Sequence, residues 1–209
     1  MEYRTKEEQV ADFLREQIIS GAIARGSRLK QAEIAEQLHL SITPVREALK
    51  LLEAEGYISG DSYRGARVVP FDAAASSEIL NLRLLLETQL VKGTVEKIKA
   101  QDIVELRQLA DEFAVAFAKG DRAVARGINY RFHRRMYDIA DMPQTLHFTQ
   151  ILWARYPFDI INAAHDRGSD AVAEHEEILQ AFAAGDVTAA MLAMRKHIES
   201  GWSVLKAAK

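Results

Sequence analysis

Apolar residues recur at helical spacing in one segment of the N-terminal third, with polar residues between them. The recurring apolar positions are Leu38, Val45, Leu49 and Leu52. Ser41 or Thr43 suits a helix N-cap, Pro44 fits the first turn, and Gly56 suits the left-handed position that follows a last turn. The pattern therefore predicts a short helix from Ile42 to Glu55.

A second amphipathic stretch, Lys30–Leu38, lies just before this helix. Two short helices joined by a tight turn form a helix-turn-helix. In that motif the N-terminal part of the second helix faces base edges in the major groove of DNA. We therefore predict that Ser41, Thr43, Arg46 and Lys50 contact DNA.

Two β-prone runs, Tyr57–Ser59 and Ala66–Val69, flank a turn-rich segment. The predicted hairpin carries Arg64 at its tip and Arg67 just beyond. Two strands around a basic turn are typical of a wing, and its arginines suit the minor groove or phosphates, where a cation releases condensed counterions.

The rest of the chain is predicted to be helical. Thr5 and Glu8 form a capping-box signature for a first helix that Gly21 ends. No strand pattern appears after Ser76, and helices are predicted at 76–99, 102–119, 121–140, 143–156, 158–164, 171–184 and 187–206. The fold class is therefore mainly α. A winged helix-turn-helix of three helices and a two-stranded wing (1–70) and a linker (71–76) precede an all-α bundle of six or seven helices (77–209).

Composition narrows the possible functions. The chain has 209 residues, a net charge of −3 and no cysteine, which excludes disulfides and thiol catalysis. No apolar run approaches the length of a membrane span, so we expect a cytoplasmic protein. Residues 1–70 hold ten Lys and Arg against eleven Asp and Glu, so DNA binding depends on where the basic residues lie.

Three histidines fall on apolar faces of separate predicted helices: His133, His175 and His197. Asn129 lies four residues before His133 and therefore projects from the same helix face. A single inward histidine is commonly a core residue, but three of them with an amide oxygen suit a transition metal. A metal site and a purely structural cluster both remain open from the residues alone.

Residues 21–69 resemble the winged helix of GntR-type transcriptional regulators. The motifs that carry the resemblance are SITPVREAL from Ser41, LEAEG from Leu52 and RGARV from Arg64. Two positions depart from the family pattern: Ile42 replaces a common arginine, and His39 replaces a common turn glycine. His tolerates a left-handed backbone better than most residues, so the turn is expected to survive.

The helical part resembles the FCD ligand-binding domain of the FadR subfamily, through the runs RLLLE from Arg83, NYRFH from Asn129, HEEILQAF from His175 and RKHI from Arg195. The resemblance implies a divalent metal, zinc first and otherwise nickel, manganese or iron. It would be held by Asn129, His133, His175 and His197. Open metal positions suit a carboxylate effector, with Arg83 as a second contact unless it pairs only with Glu87.

Three hypotheses follow. The first is a homodimeric regulator, expected to be a repressor, that binds a roughly palindromic operator and responds to a small carboxylate. The second is a metal-dependent hydrolase or lyase with an accessory N-terminal domain; His175-Glu176 begins like a zinc-protease motif, but Leu179 stands where its second histidine is required. The third is a DNA-binding protein whose histidines are structural.

Overall fold

The computed structural model describes residues 5–60, 66–71, 74–156, 158 and 167–207. The elements of the N-terminal part are α1 (Lys6–Ile19), β1 (Arg28–Leu29), α2 (Gln31–Gln37), α3 (Ile42–Ala54), β2 (Ile58–Ser59) and β3 (Ala66–Val68). The elements of the C-terminal part are α4 (Ser76–Lys97), α5 (Ala100–Ala118), α6 (Arg122–Ile139), α7 (Pro143–Ala154), α8 (Arg167–Ala184) and α9 (Val187–Ala207). The mainly α fold class is confirmed.

The predicted helix-turn-helix is present as α2 and α3. His39 in the turn has φ 54°, a left-handed conformation that confirms its role as a substitute for glycine. Ser41 is the N-cap residue of α3, although its side chain makes no capping hydrogen bond. Upstream, the predicted capping box of Thr5 and Glu8 begins α1. The apolar face of α3 is buried against α1, which fixes the orientation of the second helix.

The two predicted strands of the wing are present as β2 and β3, which pair antiparallel, and β1 adds a third antiparallel strand on the other side of β3, in the order β1-β3-β2. Arg28 pairs with Arg67 in register, and Leu29 beside it is buried. A two-residue strand is too short to show an alternating pattern, which explains why the sequence does not reveal β1. The predicted tip arginine, Arg64, lies outside the described residues.

Helices α4 to α9 form the predicted bundle. Two predicted helix starts were wrong: α5 begins at Ala100 rather than Asp102, and α8 begins at Arg167 rather than Ala171. Gly168 lies inside α8, where a Cβ atom would overlap the Phe117 ring. Glycine at this position therefore permits close helix packing instead of ending a helix. Of the predicted helix 158–164, only Phe158 is described. Among the described residues no helix is long and apolar enough to cross a membrane.

The N-terminal part docks on the bundle mainly through α1 and α6. Arg134 donates from Nη1 to Asp12 Oδ1 at 3.3 Å, and Arg126 donates to the carbonyl of Ser20, the C-cap residue of α1. Gly127 also lies at this contact, where an added Cβ would be 2.9 Å from Oε1 at the movable end of the Glu16 side chain. Helix α6 is therefore shared between the bundle and its contact with the N-terminal part.

Arg25 forms a second connection between the two parts. Its guanidinium donates to the carbonyl oxygens of Ala154 at 3.3 Å and Tyr156 at 2.6 Å, and to that of Val69 at 3.3 Å. Ala154 is the last residue of α7, so its carbonyl has no helical donor, and Tyr156 follows two residues later. Arg25 therefore ties the end of α7 to the N-terminal part.

A buried ion pair closes the N-terminal core. Arg15 in α1 binds Glu55 at the end of α3 in two-pronged fashion, with N–O distances of 2.6 and 2.7 Å. Both side chains are less than a tenth exposed. Two parallel charge-assisted hydrogen bonds fix the angle at which α3 leaves the core.

We expect Glu55→Ala to lower the free energy of unfolding by about 1.5–3 kcal/mol, because the buried Arg15 loses its two-pronged contact with Glu55 and keeps only its contact with Asp12. Urea denaturation of the whole chain measures this. Glu33→Ala is the control, since its pair with Lys30 is exposed and is worth about 0–1 kcal/mol. Equal effects for the two variants would show that the buried pair does not hold α1 and α3 together.

Candidate functional site

Three helices bring the predicted histidines together in the bundle core. His133 of α6, His175 of α8 and His197 of α9 offer ring nitrogens that all lie within 4.8 Å of one another. The rings are buried, and Nε2 of His133 lies 3.1 Å from Nε2 of His197. The helical periodicity that placed each histidine on an apolar face therefore places all three at one point.

Burial sets the protonation of this triad. Desolvation lowers the pKa of His133 and His175 well below the usual value, and the neighbouring rings add to the effect. Burial also lowers the pKa of His197, although a hydrogen bond to Glu174 opposes it. Neutral imidazole is the form that coordinates a metal, so the three rings need lose no proton to become ligands.

Several polar atoms at this point have no hydrogen-bond partner within the described part of the chain. They are Oδ1 of Asn129, Nδ1 of His133 and both ring nitrogens of His175. Buried polar atoms without a partner are rare, because each loses its hydration without compensation. A cation would satisfy nitrogen and amide-oxygen donors together, so this residue set fits a divalent transition metal.

Two residues that the sequence analysis missed hold His197. Glu174 Oε2 lies 2.7 Å from His197 Nδ1, and Arg167 donates from Nη2 to the carbonyl of His197 at 3.1 Å. With Nδ1–H directed at the carboxylate, Nε2 is left as the lone-pair nitrogen, an arrangement common for metal-binding histidines. Arg167 lies in a segment predicted to precede the helix, so no periodic signal marks it.

Arg83 forms the predicted ion pair with Glu87 and also lines a cavity beside the triad. Its Nε lies 2.6 Å from Glu87 Oε1, and its guanidinium stacks 4.0 Å from the Tyr156 ring centroid. Glu87 also accepts hydrogen bonds from Tyr137 at 2.7 Å and Trp153 at 3.1 Å. The carboxylate is therefore fully used inside the protein, and Arg83 is held in place at the cavity wall.

The cavity combines apolar walls with cationic groups. Its aromatic lining is Phe113, Phe117, Trp153, Tyr156 and Phe158. Its arginines are Arg83, Arg122, Arg126 and Arg167. Asn129, His133 and His197 reach the same space. Apolar walls with a few convergent polar groups are typical of small-molecule sites.

The predicted DNA-contacting residues lie on α3 and the wing. Ser41, Thr43 and Lys50 are exposed, and Arg46 is half-buried. Lys50 pairs with Glu47 at 3.0 Å. Arg67 is exposed on β3 and donates to the carbonyl of Gly26 at 3.0 Å. Ile42, which replaces the common family arginine, is 46% exposed at the start of α3.

The close contact between Gly168 and Phe117, which both line the cavity, can be tested by mutation. We expect Gly168→Ala to lower the free energy of unfolding by about 1–3 kcal/mol, since the new methyl group overlaps the ring. Added to a Phe117→Ala background, the same substitution should cost less, because the obstacle is gone. A double-mutant cycle by chemical denaturation measures this coupling. Additive costs would contradict the close contact.

Comparison with known proteins agrees with this geometry. Residues 6–68 match the family described as "Bacterial regulatory proteins, gntR family", and residues 78–200 match the FCD domain family. The HTH-type transcriptional regulator McbR of Escherichia coli is 33% identical over 165 residues, covering 76% of this chain and 75% of McbR. The solved structure of E. coli McbR/YncC has a TM-score of 0.84 at 27% identity, covering 98% of this chain and 99% of that one.

Two further relatives extend the comparison. A transcriptional regulator GntR from Rhodococcus sp. RHA1 has a solved structure with a TM-score of 0.72 at 25% identity, covering 98% of this chain and 99% of its own. The gluconate operon transcriptional repressor of Bacillus subtilis is 32% identical over 142 residues, covering 62% of this chain and 58% of the repressor.

Proposed function

Since this chain belongs to the gntR family of bacterial regulatory proteins and carries an FCD domain, we propose that it is a repressor controlled by a small carboxylate bound beside a divalent metal. The chain is a transcriptional regulator and not an enzyme, because its family and relatives are regulators. The hydrolase or lyase hypothesis is therefore set aside. The observation that carries the proposal is the buried cluster of unpartnered donors at Asn129, His133 and His175.

The metal would be held by Asn129, His133, His175 and His197, with zinc as the first candidate and nickel, manganese or iron as others. The histidines and the amide oxygen supply its donors, and Glu174 orients His197. When bound, the metal supplies positive charge and open positions for a ligand oxygen. Zinc, nickel and iron are candidates because imidazole nitrogen is a suitable ligand for them.

A carboxylate effector fits the remaining groups of the cavity. Arg83 uses Nε for Glu87, and its pose at the cavity wall presents a cation to a carboxylate. The aromatic wall would cover the carbon skeleton of the ligand.

DNA recognition is assigned to α3 and the wing. Ser41, Thr43, Arg46 and Lys50 would enter the major groove, and Arg67 with Arg64 would reach phosphates or the minor groove. Exposed Ile42 would favour contact with a thymine methyl group over a guanine edge. A homodimer in the cytoplasm would bind a roughly palindromic operator, because its two-fold symmetry matches such a site.

The contacts between α1 and α6 would couple effector binding in the bundle to DNA binding by the N-terminal part. We divide the chain into a DNA-binding domain (1–70), a linker (71–76) and an effector domain (77–209). Helix α6 carries two of the proposed metal ligands and also Arg126 and Arg134, which hold α1. A ligand that favours one arrangement of α6 would therefore shift the position of the DNA-binding domains.

The metal site is tested by elemental analysis of protein purified without an affinity tag. We expect about one metal ion per chain, which binds to the neutral histidines. His133→Ala/His175→Ala should lose it, and the exposed His147→Ala should keep it. No metal in the wild type, or unchanged metal in the double variant, would return the histidines to a structural role.

The DNA assignment is tested on an operator selected from random-sequence duplexes. Arg46→Ala should weaken operator binding about tenfold or more, since a good arginine contact to a base is worth about 1–3 kcal/mol. Lys119→Ala is the control, because Lys119 is an exposed charge just after the end of α5. Fluorescence anisotropy at moderate salt measures both variants. Wild-type affinity in Arg46→Ala, with folding intact, would remove Arg46 from the interface.

A further inference from the structure

Helices α5 and α6 form an open groove of about 920 Å³ on the surface of the bundle. Three of its lining residues are exposed valines: Val104 is 60% exposed, Val115 53% and Val124 48%. Valine loses side-chain freedom in a helix, so these exposed residues do not stabilise the two helices by themselves. The charged lining residues carry both signs, and they are Arg107, Asp111, Glu112, Lys119, Asp121 and Arg131. Apolar residues with a polar, charged rim are typical of a protein interface.

The α5 side of the groove has the residue spacing of a seam between paired helices. Val104, Gln108, Asp111 and Val115 follow one another at intervals of four, three and four residues, and all four are exposed. This spacing keeps the side chains on one stripe of the helix, along which a second helix can pack. The stripe has an apolar residue at each end and two hydrogen-bonding residues in the middle.

This stripe is complementary to an antiparallel copy of itself. In a two-fold dimer the same surface serves both copies, and residues equally far from the axis on either side meet across it. An axis at the midpoint of the stripe brings together three kinds of pair: Val104 with Val115, Gln108 with Asp111, and Arg107 with Glu112. An apolar contact, a hydrogen bond and an ion pair would therefore each form twice.

The two charged residues of the ion pair can make this contact without losing their present partners. Nη1 of Arg107 lies 2.7 Å from Glu176 Oε2, and the Arg107 side chain is 43% exposed. A guanidinium has five N–H donors, so Arg107 can also bind a carboxylate of a second copy. Glu112 is exposed and accepts one hydrogen bond from Gln108 at 3.1 Å, which leaves acceptor capacity on its carboxylate.

Helix α6 completes both ends of the groove. A short turn joins α5 to α6, so Val124 near the start of α6 lies at the Val115 end. A Val104 side chain from an antiparallel copy would meet both valines there. At the opposite end Arg131 faces Glu16 of α1 at 3.6 Å, so the groove extends to the N-terminal part of the chain.

We propose that this groove is the surface through which two copies of the chain form a homodimer, with their α5 helices antiparallel across the two-fold axis. The inference rests on the homodimer of the proposed function and assigns the surface that holds it. The order of charges along α5 supports a second copy as the partner, because only an isologous contact requires a surface to match itself. With Arg131 beside α1, the interface would also set the spacing of the two DNA-binding domains.

The test measures the dimer dissociation constant by sedimentation velocity over a concentration series of the full chain. Arg107→Glu and Glu112→Arg each place like charges opposite each other twice, so each should weaken the dimer about tenfold or more. The double variant Arg107→Glu/Glu112→Arg exchanges the signs and should recover most of the affinity. An equimolar mixture of the two single variants should form heterodimers more tightly than either variant pairs with itself.

A second pair of variants tests the apolar contact. Val115→Asp should weaken the dimer by more than tenfold, because it places a carboxylate against an apolar side chain of the partner copy. Phe148→Asp is the matched control, since Phe148 is an apolar residue of α7 that is 56% exposed and lies outside the groove. Thermal unfolding of each variant verifies that it is folded.

Two results would overturn the assignment of this surface. One is a dimer that Phe148→Asp weakens and Val115→Asp leaves intact, which would place the interface on α7. The other is a loss of affinity in the single variants that neither the double variant nor their mixture restores, which would trace the effect to the contact of Arg107 with Glu176. Either result leaves the proposed regulator function standing. A wild type that stays monomeric at every concentration would instead contradict the homodimer of the proposed function.

Discussion

The structure depends on buried polar groups that find no hydrogen-bond partner among the described residues. Three imidazoles and one amide oxygen converge inside a helical bundle, where an unpartnered donor or acceptor loses its hydration without return. The nearby ionic groups show the opposite situation. Glu87 receives three hydrogen bonds, and Glu174 holds both His197 and Arg167. The atoms without hydrogen-bond partners therefore lie at the histidine triad, and a cation fits there because it would accept their lone pairs.

Helix α6 connects the histidine site to the N-terminal part of the molecule. One face carries Asn129 and His133 into the cavity, and another carries Arg134 to Asp12 of α1. Trp153 of α7 and Tyr156, which follows the helix, line the cavity, and Arg25 of the N-terminal part binds the carbonyls of Ala154 and Tyr156. Helix α6 and the segment at the end of α7 therefore both line the cavity and contact the part of the chain that carries α3. The coupling we propose needs no element beyond these packed contacts.

Much of the fold follows from the sequence because its local signals agree with one another. The capping box at Thr5, the left-handed residues His39 and Gly56, and the helical periods of the bundle predict most elements close to their observed bounds. The first wing strand is missed because two residues give no periodicity. The early start of α8 is missed because Gly168 signals a break, whereas in the folded chain it makes room for Phe117.

The residues of the candidate site were likewise only partly predictable from the sequence. Helical spacing is enough to bring the three histidines and Asn129 to one side of their helices, so their convergence could be predicted. The positions of Arg167, Glu174 and Arg122 around them could not, because charged residues are usually exposed and only tertiary packing turns them inward. The alternatives for Arg83 also needed coordinates, which show that its pair with Glu87 and its place at the cavity coexist.

The most direct test of the central claim is the visible absorption spectrum of the metal-stripped protein after addition of Co²⁺, which binds the same nitrogen and oxygen donors as zinc. The account predicts new ligand-field bands that are absent in His133→Ala/His175→Ala and that change when succinate occupies the open positions. A spectrum indistinguishable from that of Co²⁺ in buffer would contradict the account and leave the buried histidines as part of the core.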